Sequence, residues 1–308
     1  MKRIILTLFV LLLASGAWAK TKMPEPKVVK INARVYALLG PMGQPSSHNQ
    51  GYMVNSTVII GDKGVILVDT GATDEVGKNI ARTIAKITPK PVTHIINTHH
   101  HGDHILGNVA FPGAVILSSE QCRIWVEKTG DEWVQLMENM IGRKFPNTHP
   151  MPATVTFKEE SRNDRSLQGV KMLLWVPRGS HTAGDMMVYL PDDKVLIGGD
   201  ILVNTTVPVM RDGYVRNWIA ALEQVQKFDT VAIIPGHGPL MNQADVAKLH
   251  KLIADFYAGV ESGYKKGLND SEVRNTLNLA EWKKLKGYEE NIGSDISRAY
   301  LEAEAANF

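Results

Sequence analysis

Thr98-His99-His100-His101-Gly102-Asp103-His104 decides how this chain is read, because its His-x-His-x-Asp-His pattern places four potential metal donors within six positions. It follows Thr93 to Asn97, an apolar stretch that reads as a strand. Side chains alternate across extended backbone, so His99 and His101 point the same way and can share one metal ion. Gly102 then lets the backbone turn, and Asp103 and His104 can face a second ion. Imidazole and carboxylate are ligands that zinc accepts, and a hydrolytic site leaves one position open for water. A histidine-rich surface loop would need neither this spacing nor the preceding strand.

Further donors lie downstream. His181 sits in Gly179-Ser180-His181-Thr182-Ala183-Gly184, after a strand ending near Pro177. Asp200 follows the apolar run Val195 to Gly198, and His237, in Pro235-Gly236-His237-Gly238, follows Thr230 to Ile234. Each stands at the carboxyl end of an apolar strand beside glycine, which allows close approach of backbone to a ligand. The remaining histidines, His48, His94, His100, His149 and His250, match no ligand position and are read as structural, with His48 kept as a possible substrate contact.

The ends and the composition bound the class. Lys2 and Arg3 precede an apolar run from Ile4 to Leu13 and the small-residue pattern Ala17-Trp18-Ala19, so residues 1–19 read as a cleaved signal peptide and the protein as exported, to the periplasm where the envelope has two membranes. The run is shorter than the roughly 20 residues a bilayer span requires. Removing Lys2 and Arg3 takes the basic residues from 34 to 32, against 32 acidic ones. A neutral chain argues against nucleic acid or anionic membrane as a partner and leaves a small-molecule substrate. Cys122 is the sole cysteine, so no internal disulfide forms.

Between these landmarks the periodicity predicts strands over 34–39, 57–60, 65–68, 93–97 and 115–117, and helices over 74–87, 119–128 and 131–141. Strands follow near 154–158, 170–176, 184–190 and 194–198, then a helix over 214–227, a buried strand to Ile234, and helices from Asp245 onward with breaks at 267–269 and near Gly287. Residues 20–30, rich in Lys and Pro, are expected to be frayed. Strands and helices in this order fit two sheets covered by helices. The expected organisation is a leader (1–19), a main domain (20–243) and a carboxy-terminal helical extension (244–308) packed on it.

From about Val35 to Leu240 the sequence resembles the metallo-β-lactamase superfamily. Five motifs carry the resemblance in the family order: Asp69-Thr70-Gly71, the His99–His104 cluster, Gly179-Ser180-His181-Thr182, Gly198-Gly199-Asp200 and Gly236-His237-Gly238. It implies an α/β fold, the four-layer αβ/βα sandwich, with the site at one edge of its sheets. It also implies two zinc ions: one on His99, His101 and His181, the other on Asp103, His104 and His237, with Asp200 bridging. Asp69 would support the site by accepting the free ring N–H of a ligand histidine. The implied chemistry is a hydroxide shared by two Zn²⁺, formed near neutral pH, oriented by Asp103 and attacking an ester, lactone, thioester or amide carbonyl.

The resemblance does not name the substrate. Flavodiiron-type members carry an acidic residue where His101 stands. β-Lactamases carry cysteine or serine at the Asp200 position, which weighs against β-lactam hydrolysis, the first alternative. A non-catalytic zinc-binding protein of the periplasm is the second. The segments before Asn49-Gln50-Gly51 and at Pro208-Val209-Met210-Arg211-Asp212-Gly213 resemble exported zinc metallohydrolases found with quinoprotein and sulfur-oxidation systems. Substrate contacts are expected from the walls around the ligands, at Met42, His48, Tyr214 and Trp218.

Overall fold

The apolar stretches pair into two sheets. The computed structural model describes residues 22–307, so the expected signal peptide lies outside the described residues. Strands β1 (Lys27–Lys30), β2 (Val35–Leu39), β3 (Ser56–Ile60) and β4 (Val65–Val68) form an antiparallel run. Helix α1 (Asp74–Ile87) then crosses to β5 (Val92–Ile96), parallel to β4. The short helix α2 (Gly102–Ile105), strand β6 (Val115–Ser119), long helix α3 (Glu120–Ile141) and strand β7 (Val155–Phe157) complete a seven-stranded sheet with its strands in chain order. The second sheet takes β8 (Ser161–Leu167), β9 (Val170–Val176), β10 (Met187–Leu190) and β11 (Val195–Ile197), after which helix α4 (Val215–Val225) leads to β12 (Ala232–Ile234). Its order is β12-β11-β10-β9-β8, with β12 parallel to β11. Helices α5 (Gln243–Lys265), α6 (Asp270–Arg274) and α7 (Tyr288–Ala306) follow.

Alternation explains why the sheets stack. Ile59, Ile66, Val68 and Ile96 of the first sheet meet Met172, Leu174, Val188 and Ile197 of the second in one buried cluster. Their neighbours Val58, Leu67 and Ile95 point the other way, onto Val76, Ile80 and Ile84 of α1. On the far face Trp175, Met187 and Leu196 pack on α4, α5 and α7 through Trp218, Ile253 and Ile296. Both faces of both sheets are thus covered, giving the αβ/βα sandwich, with the carboxy-terminal helices in an outer layer. α1 starts where the Thr73 side chain accepts from the Val76 amide, a cap worth about 1 kcal/mol.

Three local readings change. Residues 120–141 form one helix rather than two; Gly130 is no break, because a Cβ there would run into Pro150, so the glycine serves close packing. Ser161–Leu167, where the periodicity predicts no strand, is an edge strand whose polar side chains are largely exposed and so carry no apolar alternation. Lys27–Lys30, expected to fray, pairs with β2.

The topology gathers the carboxyl ends of five strands at one edge. β4 ends at Asp69 and the parallel β5 runs into His99, while β11 ends at Asp200 and the parallel β12 at His237. β9 runs antiparallel to β10, itself antiparallel to β11, so β9 delivers His181 to the same edge. The Asn55 amide donates to Gly236 O at 2.8 Å and the Met186 amide to Thr98 O at 2.7 Å, tying the sheets together there.

Candidate metal centre

Seven buried or nearly buried donors converge at that edge. The donor atoms of His99, His101 and His181 lie within 4.8 Å of one another, as do those of Asp103, His104 and His237 and those of His99, His104 and Asp200. His181 Nε2 stands 3.1 Å from His101 Nδ1, and His104 Nε2 stands 3.3 Å from His237 Nε2. Two ligands of a tetrahedral zinc at about 2.0–2.1 Å are about 3.3–3.4 Å apart, so these spacings fit shared coordination. Asp200 lies between the sets: Oδ2 is 3.7 Å from His181 Nε2 and 3.3 Å from His237 Nε2, and Oδ1 is 3.4 Å from His104 Nε2. Gly236 permits this, because a Cβ at that position would collide with the Asp200 carboxylate.

The outer nitrogens explain why the inner ones are presented. His104 Nδ1 donates to Asp69 Oδ2 at 2.8 Å, His181 Nδ1 to Val209 O at 3.0 Å and His237 Nδ1 to Met53 O at 3.1 Å. His101 is turned the other way: Nε2 donates to Asp212 Oδ2 at 3.1 Å, leaving Nδ1 to face inward. His99 Nδ1 is 3.1 Å from Thr98 Oγ1, whose hydroxyl donates to Asp69 Oδ2 at 2.7 Å. Each outer nitrogen is thus engaged and each inner nitrogen faces the site, the arrangement a metal ligand needs once its inner proton is lost. Buried and without hydrogen-bond partners among the described residues, His99 Nε2 and Asp200 Oδ1 are left for an ion to satisfy. A donor set of imidazole and carboxylate with no thiolate fits zinc.

Charge within the cluster is strongly perturbed. Burial opposes ionisation of Asp103 and Asp200, yet the histidines beside them hold both carboxyls well below the usual range. Burial likewise opposes the imidazolium forms of His104 and His237, but the same carboxylates overcome it and push His237 up to about 10. His181, buried with the like charge of His101 beside it, is brought down to about 3. The hydrogen bond from His101 holds Asp212 low against the cost of its burial.

Asp69 lies behind His104 and Thr98. Its carboxylate accepts from the Thr98 amide, the Thr98 hydroxyl and His104, and its backbone is held at φ 57°, in the left-handed region. The expected substrate contacts divide. A cavity of about 490 Å³ opens over Asp103 and Asp200, lined by Met42, Met53, Trp133, Met137, Met140, Val207, Arg211 and Lys286 among others. Met42 stands on its wall, where Lys286 Nζ donates to Met42 O at 2.5 Å. His48 is exposed on the same loop, away from the cavity lining. Tyr214 turns outward, its ring 5.3 Å from the Arg298 guanidinium. Trp218 is fully buried, donates to Ile201 O at 2.9 Å and packs against the back of His181, so it belongs to the core. Sequence reasoning missed Asp212, which meets His101 across 111 positions and had no local signal beyond lying in the 208–213 segment.

Residues 49–237 match the family model of the metallo-β-lactamase superfamily, and the chain belongs to that family. The linear primary-alkylsulfatase of Pseudomonas sp. (strain ATCC 19151) is 24% identical over 257 residues, 70% of this chain and 48% of that protein. A solved double mutant of the sec-alkyl sulfatase PisA1 superposes with a TM-score of 0.65 at 18% identity, covering 92% of this chain and 51% of that one. The metallo-β-lactamase FIM-1 of Pseudomonas aeruginosa, solved in its mono-zinc form, gives a TM-score of 0.61 at 22% identity over 77% of this chain and 98% of that one. The chain therefore spans about half the length of these alkylsulfatases. The protein is a metallo-β-lactamase superfamily hydrolase with His/Asp groups able to bind metal.

Proposed function

We propose that this protein is an exported hydrolase that holds two zinc ions, one on His99, His101 and His181 and one on Asp103, His104 and His237, with Asp200 shared. The observation that carries the reading is the uniform orientation of five imidazoles, each fixed by an outer partner and each directing its free nitrogen inward. Bound zinc supplies a Lewis acid and an activated water at neutral pH. The chain's own part is to fix the donors, to keep Asp103 ionised at the cavity floor where it can orient a water, and to hold an ester, lactone, thioester or amide against that floor. The methionines of the wall suit an apolar acyl group. The basic start and apolar run of residues 2–13 support export to the periplasm.

Two observations favour a second reading, a sulfate ester of an apolar alcohol. Arg211 and Lys286 both face the cavity, and the likeness to a sec-alkyl sulfatase extends over 92% of the chain. Against β-lactams stands Asp200 itself. The deciding experiment gives the zinc-loaded protein a panel of lactone, thioester, β-lactam, phosphodiester and primary alkyl sulfate substrates, with chelation and zinc restoration as controls. Zinc-dependent turnover of a carbonyl substrate supports the first reading, turnover of the alkyl sulfate alone supports the second, and turnover unaffected by chelation rejects both.

A further inference from the structure

A row of polar side chains on α7 acts on backbone rather than on the cavity. Asp295, Arg298 and Glu302 recur at helical spacing, so they share one face. Asp295 is fully buried and accepts from the Met210 amide at 2.8 Å, while its other oxygen has no hydrogen-bond partner among the described residues. Arg298 Nε donates to Gly213 O at 2.6 Å. Glu302 accepts from the amides of Val215 and Arg216 at 2.7 and 3.0 Å, the first turn of α4, where Tyr214 provides no side-chain cap. Three successive anchors therefore fix residues 210–216 to α7.

That segment supports one set of donors only. Val209 O accepts from His181, Asp212 accepts from His101, and Trp218 of α4 places its ring 5.3 Å from that of His181. His104 and His237 are oriented instead by Asp69 and by Met53 O, on the side of the first sheet.

We propose that α7 is a splint for the His99–His101–His181 set alone. Asp295, Arg298 and Glu302 are positioning residues: through segment 209–216 they fix the angles of the His101 and His181 rings, and so set the affinity of that site and not of its neighbour. The inference rests on the two-metal reading above. Its physical ground is ordering: a metal binds tightly where both rings already converge, and a loosened segment makes the ion bear the cost of bringing them together.

The test is a cobalt(II) titration of the metal-free full chain, followed by visible absorption, with His101→Ala and His237→Ala used to assign the bands of the two sites. Arg298→Met and Glu302→Gln alter half-buried side chains, and Asp295→Asn alters the buried one. The expected result is about tenfold weaker cobalt binding at the first site with altered band positions, and binding within about twofold of wild type at the second. Asp69→Asn should weaken the second site through His104 and, through Thr98 and His99, the first as well. Equal weakening at both sites in the α7 variants, or an unaltered first site in those that melt like wild type, overturns the splint. Should wild type take a single cobalt that His101→Ala abolishes, the two-metal reading fails; the splint then stands if Arg298→Met weakens that ion and falls if it does not. A single cobalt lost only with His237→Ala overturns both.

Discussion

Replacing Asp69 by asparagine removes one charge from the support of the site while leaving nearly the same shape. Asparagine tolerates the left-handed backbone found there, whereas alanine would add about 1–2 kcal/mol of strain. The carboxylate, 2% exposed, accepts three hydrogen bonds, at 2.9 Å from the Thr98 amide, 2.7 Å from the Thr98 hydroxyl and 2.8 Å from His104 Nδ1. An amide keeps one oxygen, so whichever way it turns its NH₂ faces a buried donor. One unsatisfied donor costs about 1–3 kcal/mol. Loss of an outer partner weakens metal binding by about 10–100-fold, which is about 1.4–2.7 kcal/mol, the same size. Asp69→Asn should therefore melt below wild type without metal and bind the zinc of His104 about 10–100-fold more weakly, in competition with a chromophoric chelator. Asp69→Ala should lose more stability, because both buried N–H donors lose their acceptor. Wild-type affinity in Asp69→Asn would mean that the carboxylate charge behind His104 does nothing for the ligand.

Asp200→Ala should lose activity and most bound metal, measured by elemental analysis, because two cations would be left close together without a shared anion. For pH, the two perturbed groups of histidines act in opposite senses on the metal-free protein. His104 and His237 are raised above the unfolded value of about 6.5, so their contribution is full below that pH and is lost as pH climbs toward the His237 value of about 10. His99 and His181 are lowered, so theirs is present above about 6.5 and is lost as pH falls toward the His181 value of about 3. Melting temperatures of chelated protein should therefore peak near pH 6.5, and the stabilisation on adding zinc should grow from pH 6.5 to 9 as metal displaces fewer protons; a flat profile contradicts the assignment. Trp218→Ala should cost about 3–5 kcal/mol of stability in denaturant titration and leave relative substrate rates unchanged, as suits a core residue. Met42→Ala should change relative rates across the substrate panel with zinc content intact.

The convergence of these histidines and aspartates was legible because each sits in a short local pattern at the end of an apolar strand, where neither distant contacts nor side-chain angles are needed to see it. The two-sheet core was legible for the same reason: Ile59 and Val58, or Ile66 and Leu67, alternate between two buried faces. What escaped depends on contacts between distant parts of the chain. Asp212 acts only because folding brings it to His101, and the use of Nδ1 by His101 follows from that contact. Gly130 is a helix breaker by propensity and a packing residue by virtue of Pro150. Trp218 follows Asp200 closely in sequence, yet helical geometry turns its ring to the back of His181 rather than to the cavity. Ser161–Leu167 is held by pairing with β9, which polar side chains do not announce.

Zinc content decides whether the seven donors form two metal sites. Two zinc ions per chain are expected after mild dialysis of the zinc-loaded protein, by elemental analysis, with about one remaining in His101→Ala and in His237→Ala. A ratio that stays at one or below in the unaltered chain, whatever zinc is added, would contradict two sites.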